Sequence, residues 1–418
     1  MHSRRNPGAQ VQTHATSPPL AIKTAIIRHT AQDEVHVMSD TDAVVIGAGP
    51  AGLACAAMLS RQGLRATILE KADTVGAVWR RHYDRLHLHT DRSHSGLPGL
   101  PMPRDYPRYP ARAQVVAYLE SYAAHFELRP EFGCAARTIR RLGNGWRVDT
   151  DARAWAAPIV VVATGWADFP HAPAWPGQDD YTGEVIHSAD YRNATPYAGQ
   201  RVLVVGFGNS GGEIALDLAE AGVDVTMAVR GAVRILPRDL LGLPLLTWAI
   251  AQAWLPPRLA DTLNAPAIRL AVGSTRDLGL TISPKGPRQM IAEDGKIPLL
   301  DIGTVARIRD GSIKVRGGIE RFTREGVVFA TSPQPAGEPA AEPFDAVILA
   351  TGFRPDLHPL LPDAPDTLDA QGRPRVTGQP SGATGLFFCG QHPSPTGQLR
   401  EIGIEARRIA RLARALVG

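Results

Sequence analysis

The sequence predicts an α/β protein made of two parallel-sheet units of one kind, the second inserted into the first. Three observations carry this. DAVVIGAGPAG at 42–52 is an apolar strand that breaks into glycines before an Ala-rich helix pattern. RVLVVGFGNSG at 201–211 repeats that phrase, with the helix pattern GEIALDLAEAG behind it. Each is answered downstream by an apolar run into Ala-Thr-Gly, IVVVATGW at 159–166 and DAVILATGF at 345–353. At 418 residues the chain exceeds one ordinary core and has room for such a nested pair.

In the first unit Gly47, Gly49 and Gly52 fit the pattern GxGxxG between a strand and a helix that ends near Gly63. The first glycine permits the tight turn, the second lets a pyrophosphate approach the backbone, and the third lets helix and strand pack closely. Phosphate then rests on the exposed amides of the helix start, and Pro50 and Ala51, the first residues of that helix, are candidate cofactor contacts. The next strand pattern, RATILEK, ends in Glu70 and Lys71, and an acid at that distance accepts hydrogen bonds from an adenosine ribose. The second unit repeats the arrangement with Gly206, Gly208 and Gly211, and adds Asn209 and Ser210 as polar side chains facing phosphate, with a helix N-cap as the simpler role for Ser210. Its strand VDVTMAVR ends in Arg230 instead of an acid. A guanidinium there suits a 2′-phosphate that a carboxylate would repel. The expected cofactors are therefore FAD on the first loop and NADPH on the second.

The Ala-Thr-Gly turns add Thr164 and Gly165, and Thr351 and Gly352, as positions where backbone approaches a cofactor. Their order predicts two Rossmann-like dinucleotide-binding domains, the NADPH domain inserted into the FAD domain. The expected division is a disordered extension at 1–40, the first part of the FAD-binding domain at 41–195, the NADPH-binding domain at 196–343 and the rest of the FAD-binding domain at 344–418. Met38, just before the first strand, is an alternative start, and Asp33 and Glu34 argue against a transit peptide.

Composition narrows the function. With 44% hydrophobic and 21% charged residues the chain reads as globular, and its net charge of +4 comes from both signs spread along it, with no basic block of the kind that tracks nucleic acid. Cys55, Cys134 and Cys389 form no CxxC pair and no metal-ligand spacing, so neither a disulfide scaffold nor a metal site is expected, and a reducing cytoplasm is the natural setting. The stretch LLGLPLLTWAIAQAWLPP at 240–257 is broken by Pro244 and falls short of the roughly 20 apolar residues of a bilayer span. A buried helix is its expected form; a tunnel wall in which Trp248 and Trp254 face a substrate, a partner surface or a membrane-touching patch are the alternatives. Two nucleotides imply hydride passing from one to the other. No cysteine pair is placed to accept the electrons and no anchor suggests a quinone, which leaves O2.

At this point motifs carry a resemblance. YTGEVIHSADY at 181–191 resembles the flavin-containing monooxygenase fingerprint FxGxxxHxxx(Y/F), with Tyr181 in the Phe position and Gly183, His187 and Tyr191 in place. GAVWRR at 76–81 is similar to the family's GGxWR segment, which implies that Val78, Trp79 and Arg80 lie beside FAD. YDRLHLHTDRSHSGLPGLPMPRDYPRYPARAQVVAYLESYA, LPRDLLG, KIPLLDIGTVARIRDGSIKV and FDAVILATGFRPD resemble the YUCCA-type monooxygenases from about residue 40 onward. The resemblance implies FAD, NADPH and O2 acting through a C4a-(hydro)peroxyflavin on an aromatic α-keto acid such as indole-3-pyruvate, giving indole-3-acetate and CO2. N- or S-oxygenation of a soft nucleophile, or a flavin redox sensor, are the alternatives. Many members place a Thr-Asn pair beside the flavin; His89 and Thr90 stand there, a departure that disfavours amine or sulfide oxygenation and makes both catalytic candidates. His187 is a candidate for proton handling or for domain docking, and docking is favoured because the fingerprint spans different chemistries. Expected partners are a small-molecule substrate and O2, with a homodimer left open, no nucleic acid and no transmembrane segment. No single arginine stands out to bind a substrate carboxylate.

Overall fold

The computed structural model describes residues 37–38, 40–330 and 340–418. The first glycine phrase lies in a four-stranded parallel sheet, in the order Leu386–Phe388, Ile159–Val162, Ala43–Ile46, Ala66–Leu69. These strands are runs of Val, Ile, Leu, Ala and Phe because both faces of the sheet are covered. Alternation along Ala43–Ile46 sorts the faces. Ala43 and Val45 pack toward α1 (Pro50–Arg61) and α3 (Arg112–His125), whereas Val44 and Ile46 pack toward Ile139, Trp146 and Val148 of an antiparallel sheet. Between those helices lies the short α2 (Ala77–Arg81). Proline at its first turn starts α1 and Gly63, at φ +75°, ends it.

The second phrase lies in a five-stranded parallel sheet ordered Ile313–Arg316, Asp224–Ala228, Arg201–Val205, Ala346–Leu349, Glu184–His187. It repeats the first unit's layering. Val202 and Val204 face α4 (Asn209–Glu220), and Leu203 and Val205 face Phe322, Val327 and Phe329 of a three-stranded antiparallel sheet. Beyond it come α5 (Leu245–Ala251), α6 (Pro257–Val272), α7 (Pro287–Asp294) and α8 (Thr304–Arg309), and α9 (Gln398–Val417) closes the chain against α1.

Three expectations need correction. Strands Glu184–His187 and Ala346–Leu349, assigned from sequence to the FAD-binding part, are hydrogen-bonded into the second sheet, so boundaries at 195/196 and 343/344 divide paired strands; the chain returns to the first sheet only at Leu386–Phe388. Val37 and Met38 pair in parallel with Ala154 and Trp155, within the stretch expected to be disordered; residues 1–36 and 39 lie outside the described residues. The apolar run at 240–257 is no single buried helix. Leu241, at φ +52°, turns a two-strand hairpin, the seven-residue α5 follows, and Trp254 is 80% exposed. Pro244 lacks the N–H to continue a helix through the run. No described helix is long and apolar enough to cross a membrane.

Candidate functional site

The glycine turns explain their own sequence. Gly47 has φ +106°, and a Cβ there would lie 2.8 Å from the Ala163 carbonyl oxygen; one on Gly52 would lie 1.8 Å from the Gly47 oxygen. In the second turn Gly206 (φ +118°) meets the Ala350 oxygen at 2.5 Å and Gly211 meets the Gly206 oxygen at 2.3 Å. Each Ala-Thr-Gly turn is thus the neighbour that forbids a side chain on the first glycine of its own sheet. The middle glycines differ: a Cβ on Gly49 or Gly208 meets none of the described residues within 4 Å. Both residues are helix N-caps without a side-chain cap, so the first amides of α1 and α4 open onto that space. Two cradles of the kind that hold a phosphate result. Ser210 is not the N-cap, which is Gly208; it lies close enough to Tyr83 to influence its phenol.

Around the first cradle Glu70 is buried, accepting from the Ala48 N–H at 2.7 Å and the Ala72 N–H at 2.9 Å. Each oxygen keeps a lone pair for a ribose hydroxyl. Lys71 pairs with Asp168 at 3.2 Å, and Arg80 donates to the Val75 carbonyl at 3.3 Å and pairs with Glu120. Trp79 packs against the cores of both units, with Val78 beside it on the half-buried α2. Sequence reading missed Gln391. Its amide donates to Thr164 Oγ1 at 3.4 Å, near Gly165, while its buried Oε1 has no partner among the described residues. An orphaned buried acceptor beside an open cradle fits a ligand carrying a hydroxyl or ring N–H, as a flavin nucleotide does.

Around the second cradle Asn209 Oδ1 is already engaged, accepting from the Leu300 N–H at 2.8 Å. Arg230 is exposed, and its stem runs over Gly318, where a Cβ would stand 3.1 Å from Arg230 Cγ. Its guanidinium makes no hydrogen bond or ion pair among the described residues, so it is free for a ligand phosphate.

The fingerprint residues work as architecture. Tyr181 OH donates to the Phe344 carbonyl at 2.9 Å, and Tyr191 OH to Asp217 on α4 at 2.6 Å. A Cβ on Gly183 would lie 2.3 Å from Tyr181 Oη. His187 Nδ1 accepts from the Ala189 N–H at 3.1 Å, which leaves the ring proton on Nε2 to donate to the Gly352 carbonyl at 3.1 Å. Burial lowers its pKa, so the neutral ring has both nitrogens committed to the turn that carries Thr351, whose hydroxyl bonds the His171 carbonyl.

His89 and Thr90 sit where the units meet. Thr90 Oγ1 bonds Ser95 Oγ at 2.7 Å, and its methyl faces Gly397 at the start of α9. His89 Nε2 stands 3.4 Å from Oε1 of Glu213 on α4, whose other oxygen accepts from Tyr83 OH at 3.1 Å. Glu213 is 2% exposed, and burial pushes its carboxyl up to about 7 against the pull of the Tyr83 hydrogen bond and the charges of Arg85 and Arg238. Burial, with Arg238 nearby, lowers His89 to about 4, so this imidazole is neutral. Sequence reading missed Glu213, although its spacing with Asp217 and Glu220 puts three acids on one face of α4.

Known proteins bear on this geometry. Residues 44–238 match the family described as pyridine nucleotide-disulphide oxidoreductase. A flavin-containing monooxygenase from Stenotrophomonas maltophilia superposes with a TM-score of 0.68 at 26% identity, covering 91% of this chain and 99% of that one. The closed form of cyclohexanone monooxygenase shares the fold, with a TM-score of 0.65 at 20% identity over 90% of this chain and 85% of that one. Fold and site together define an oxidoreductase of the flavin monooxygenase class. Indole-3-pyruvate monooxygenase YUCCA1 of Oryza sativa subsp. japonica is 40% identical over 357 residues, covering 83% of this chain and 86% of the relative, and YUCCA6 of Arabidopsis thaliana is 39% identical over 330 residues, covering 76% and 77%. The chain belongs to the YUCCA family of indole-3-pyruvate monooxygenases.

Proposed function

We propose that the protein uses NADPH and O2 to convert an aromatic α-keto acid, indole-3-pyruvate or a close analogue, into the acid one carbon shorter. The observation that carries this is the matched pair of glycine cradles, one followed by buried Glu70 and the other by unpaired Arg230, in a chain 40% identical to a protein named for that substrate. FAD would be held by Gly47–Gly52, Glu70, Thr164 and Gln391, and NADPH by Gly206–Gly211 and Arg230. A bound flavin supplies two-electron transfer from the nicotinamide and the activation of oxygen. The chain supplies the rest. The helix starts fix the two pyrophosphates, Glu70 and Arg230 select the riboses, and His187 holds the Thr351–Gly352 turn against the second cradle. Glu213 and Tyr83 keep a proton close to His89 at the seam.

The balanced reaction consumes keto acid, O2, NADPH and a proton and yields the shortened acid, CO2, water and NADP+. One oxygen atom enters the new carboxylate and the other leaves as water. The test is FAD-loaded protein given NADPH, labelled O2 and a panel of keto acids, amines and sulfides. Indole-3-acetate carrying one labelled atom, formed with CO2 in step with NADPH loss, is the expected result. Product from amines or sulfides alone, or peroxide across the whole panel, would overturn it.

A further inference from the structure

A keto acid carries a carboxylate, and a buried carboxylate needs a cation with donors to spare. Five arginines border the seam between the units with their guanidinium groups committed. Arg85 pairs with Asp217 and Glu220, Arg92 donates to the Tyr106 carbonyl, and Arg108 to Asp239 and the Gly242 carbonyl. Arg112 donates to the carbonyls of Arg80 and His82 and pairs with Asp84; Arg400 pairs with Glu401.

Arg238 differs. Its guanidinium lies over the Tyr109 ring, 4.1 Å from the centroid, and its buried Nε has no hydrogen-bond partner among the described residues. Asp239 comes no closer than 3.8 Å, because its other oxygen is held by Tyr109 OH at 2.8 Å and by Arg108 at 3.0 Å. No hydrogen bond from the Arg238 side chain occurs among the described residues. A buried donor left unpaired bears a desolvation cost with no hydrogen bond to offset it, and a ligand that pairs it relieves that cost. The position fits such a ligand. Arg238 is close enough for its charge to act on both His89 and Glu213. The segment that follows it reaches across the seam, with Leu246 on Gly397 and Thr247 Oγ1 3.3 Å from His94 Nε2. Arg238 also lines an open cleft of about 290 Å³ beside Asp301 and Arg309; Arg309 is committed to the Val272 and Ser274 carbonyls.

We propose that Arg238 is the carboxylate anchor of the substrate site, with Tyr109 holding the guanidinium plane from below. This rests on the decarboxylation proposed above. The anion that Arg238 takes could otherwise be a phosphate of the nicotinamide nucleotide, so the test separates the two sources. Indole-3-acetate, 3-methylindole and NADP+ are titrated separately into oxidised, FAD-loaded wild type, Arg238→Gln and Arg238→Lys, read by perturbation of the flavin spectrum. Loss of a charged hydrogen bond should weaken indole-3-acetate roughly 10- to 100-fold in Arg238→Gln, with Arg238→Lys between. The affinities for 3-methylindole, which lacks the carboxylate, and for NADP+ should not change. Retained flavin reports that each variant is folded, and Arg238→Lys serves if Arg238→Gln loses it. Unchanged binding of indole-3-acetate, a loss that falls equally on NADP+, or a wild type that does not bind indole-3-acetate would overturn the anchor. Titration needs no turnover: if keto acids release no CO2 but indole-3-acetate still binds through Arg238, the reaction fails and the anchor stands.

Discussion

Glu213 is a carboxyl group with almost no water around it, flanked by a phenol and a neutral imidazole. Its pKa rises from 4.5 to about 7 on folding, so between those values the folded state holds a proton that the unfolded chain releases. The linkage then runs against alkali. The contribution is fully present below about pH 4.5 and lost as pH rises to about 7, each pH step of one between those values removing about 1.4 kcal/mol. Denaturant titrations at pH 5 and pH 8 should show wild type losing about 2–3 kcal/mol more over that rise than Glu213→Gln. Equal losses would mean that Glu213 is ionised throughout. Arg230 carries a separate prediction. Because none of the described residues pairs with its guanidinium, Arg230→Ala should leave stability unchanged while raising the KM for NADPH roughly 10- to 100-fold and leaving that for NADH alone. A uniform loss with both nucleotides would count against a 2′-phosphate contact.

At the scale of elements, two glycines in each turn are dictated by packing and one by what the turn holds. Gly52→Ala drives a methyl into the Gly47 carbonyl and should destabilise the unit by at least the roughly 1–3 kcal/mol typical of overpacking. Gly49→Ala meets only open space, at φ −81°, which alanine adopts freely. It should keep the apo-protein's Tm yet lower the ratio of flavin to protein absorbance after purification, and Gly208→Ala should weaken NADP+ while flavin is retained. A Gly49→Ala protein that fills with FAD like wild type would remove phosphate from that cradle. These elements were legible in sequence because a strand, a forced turn and a helix are contiguous, and the first and third glycines of each turn clash with backbone a few residues away or with the Ala-Thr-Gly neighbour. Sheet membership was not. Ala346–Leu349 slots between strands at 201–205 and 184–187, an order the chain does not spell out. The run at 240–257 misled for another reason: apolar composition does not say which side faces water, and Leu241 and Trp254 are left outside.

For the whole molecule, the decisive feature is how the two units are held. One face of α4 presents Glu213, Asp217 and Glu220 to Tyr83, His89 and Arg85 from the first unit and to Tyr191 from the linking segment. Glu70 and Arg230 could be read from their place at strand ends, whereas Glu213 and Arg238 acquire meaning only from partners about 130 positions away. Tyr191→Phe should cost about 1 kcal/mol, and hydrogen exchange should rise along α4 while the inner strands of both sheets stay protected. The proposed reaction requires electrons to cross this seam. The most direct measurement is anaerobic mixing of FAD-loaded protein with NADPH, followed by flavin absorbance. The bound flavin should bleach in a single turnover, faster with NADPH than with NADH. A flavin that stays oxidised, or a purified chain that takes up no flavin, would contradict two nucleotides working across one seam.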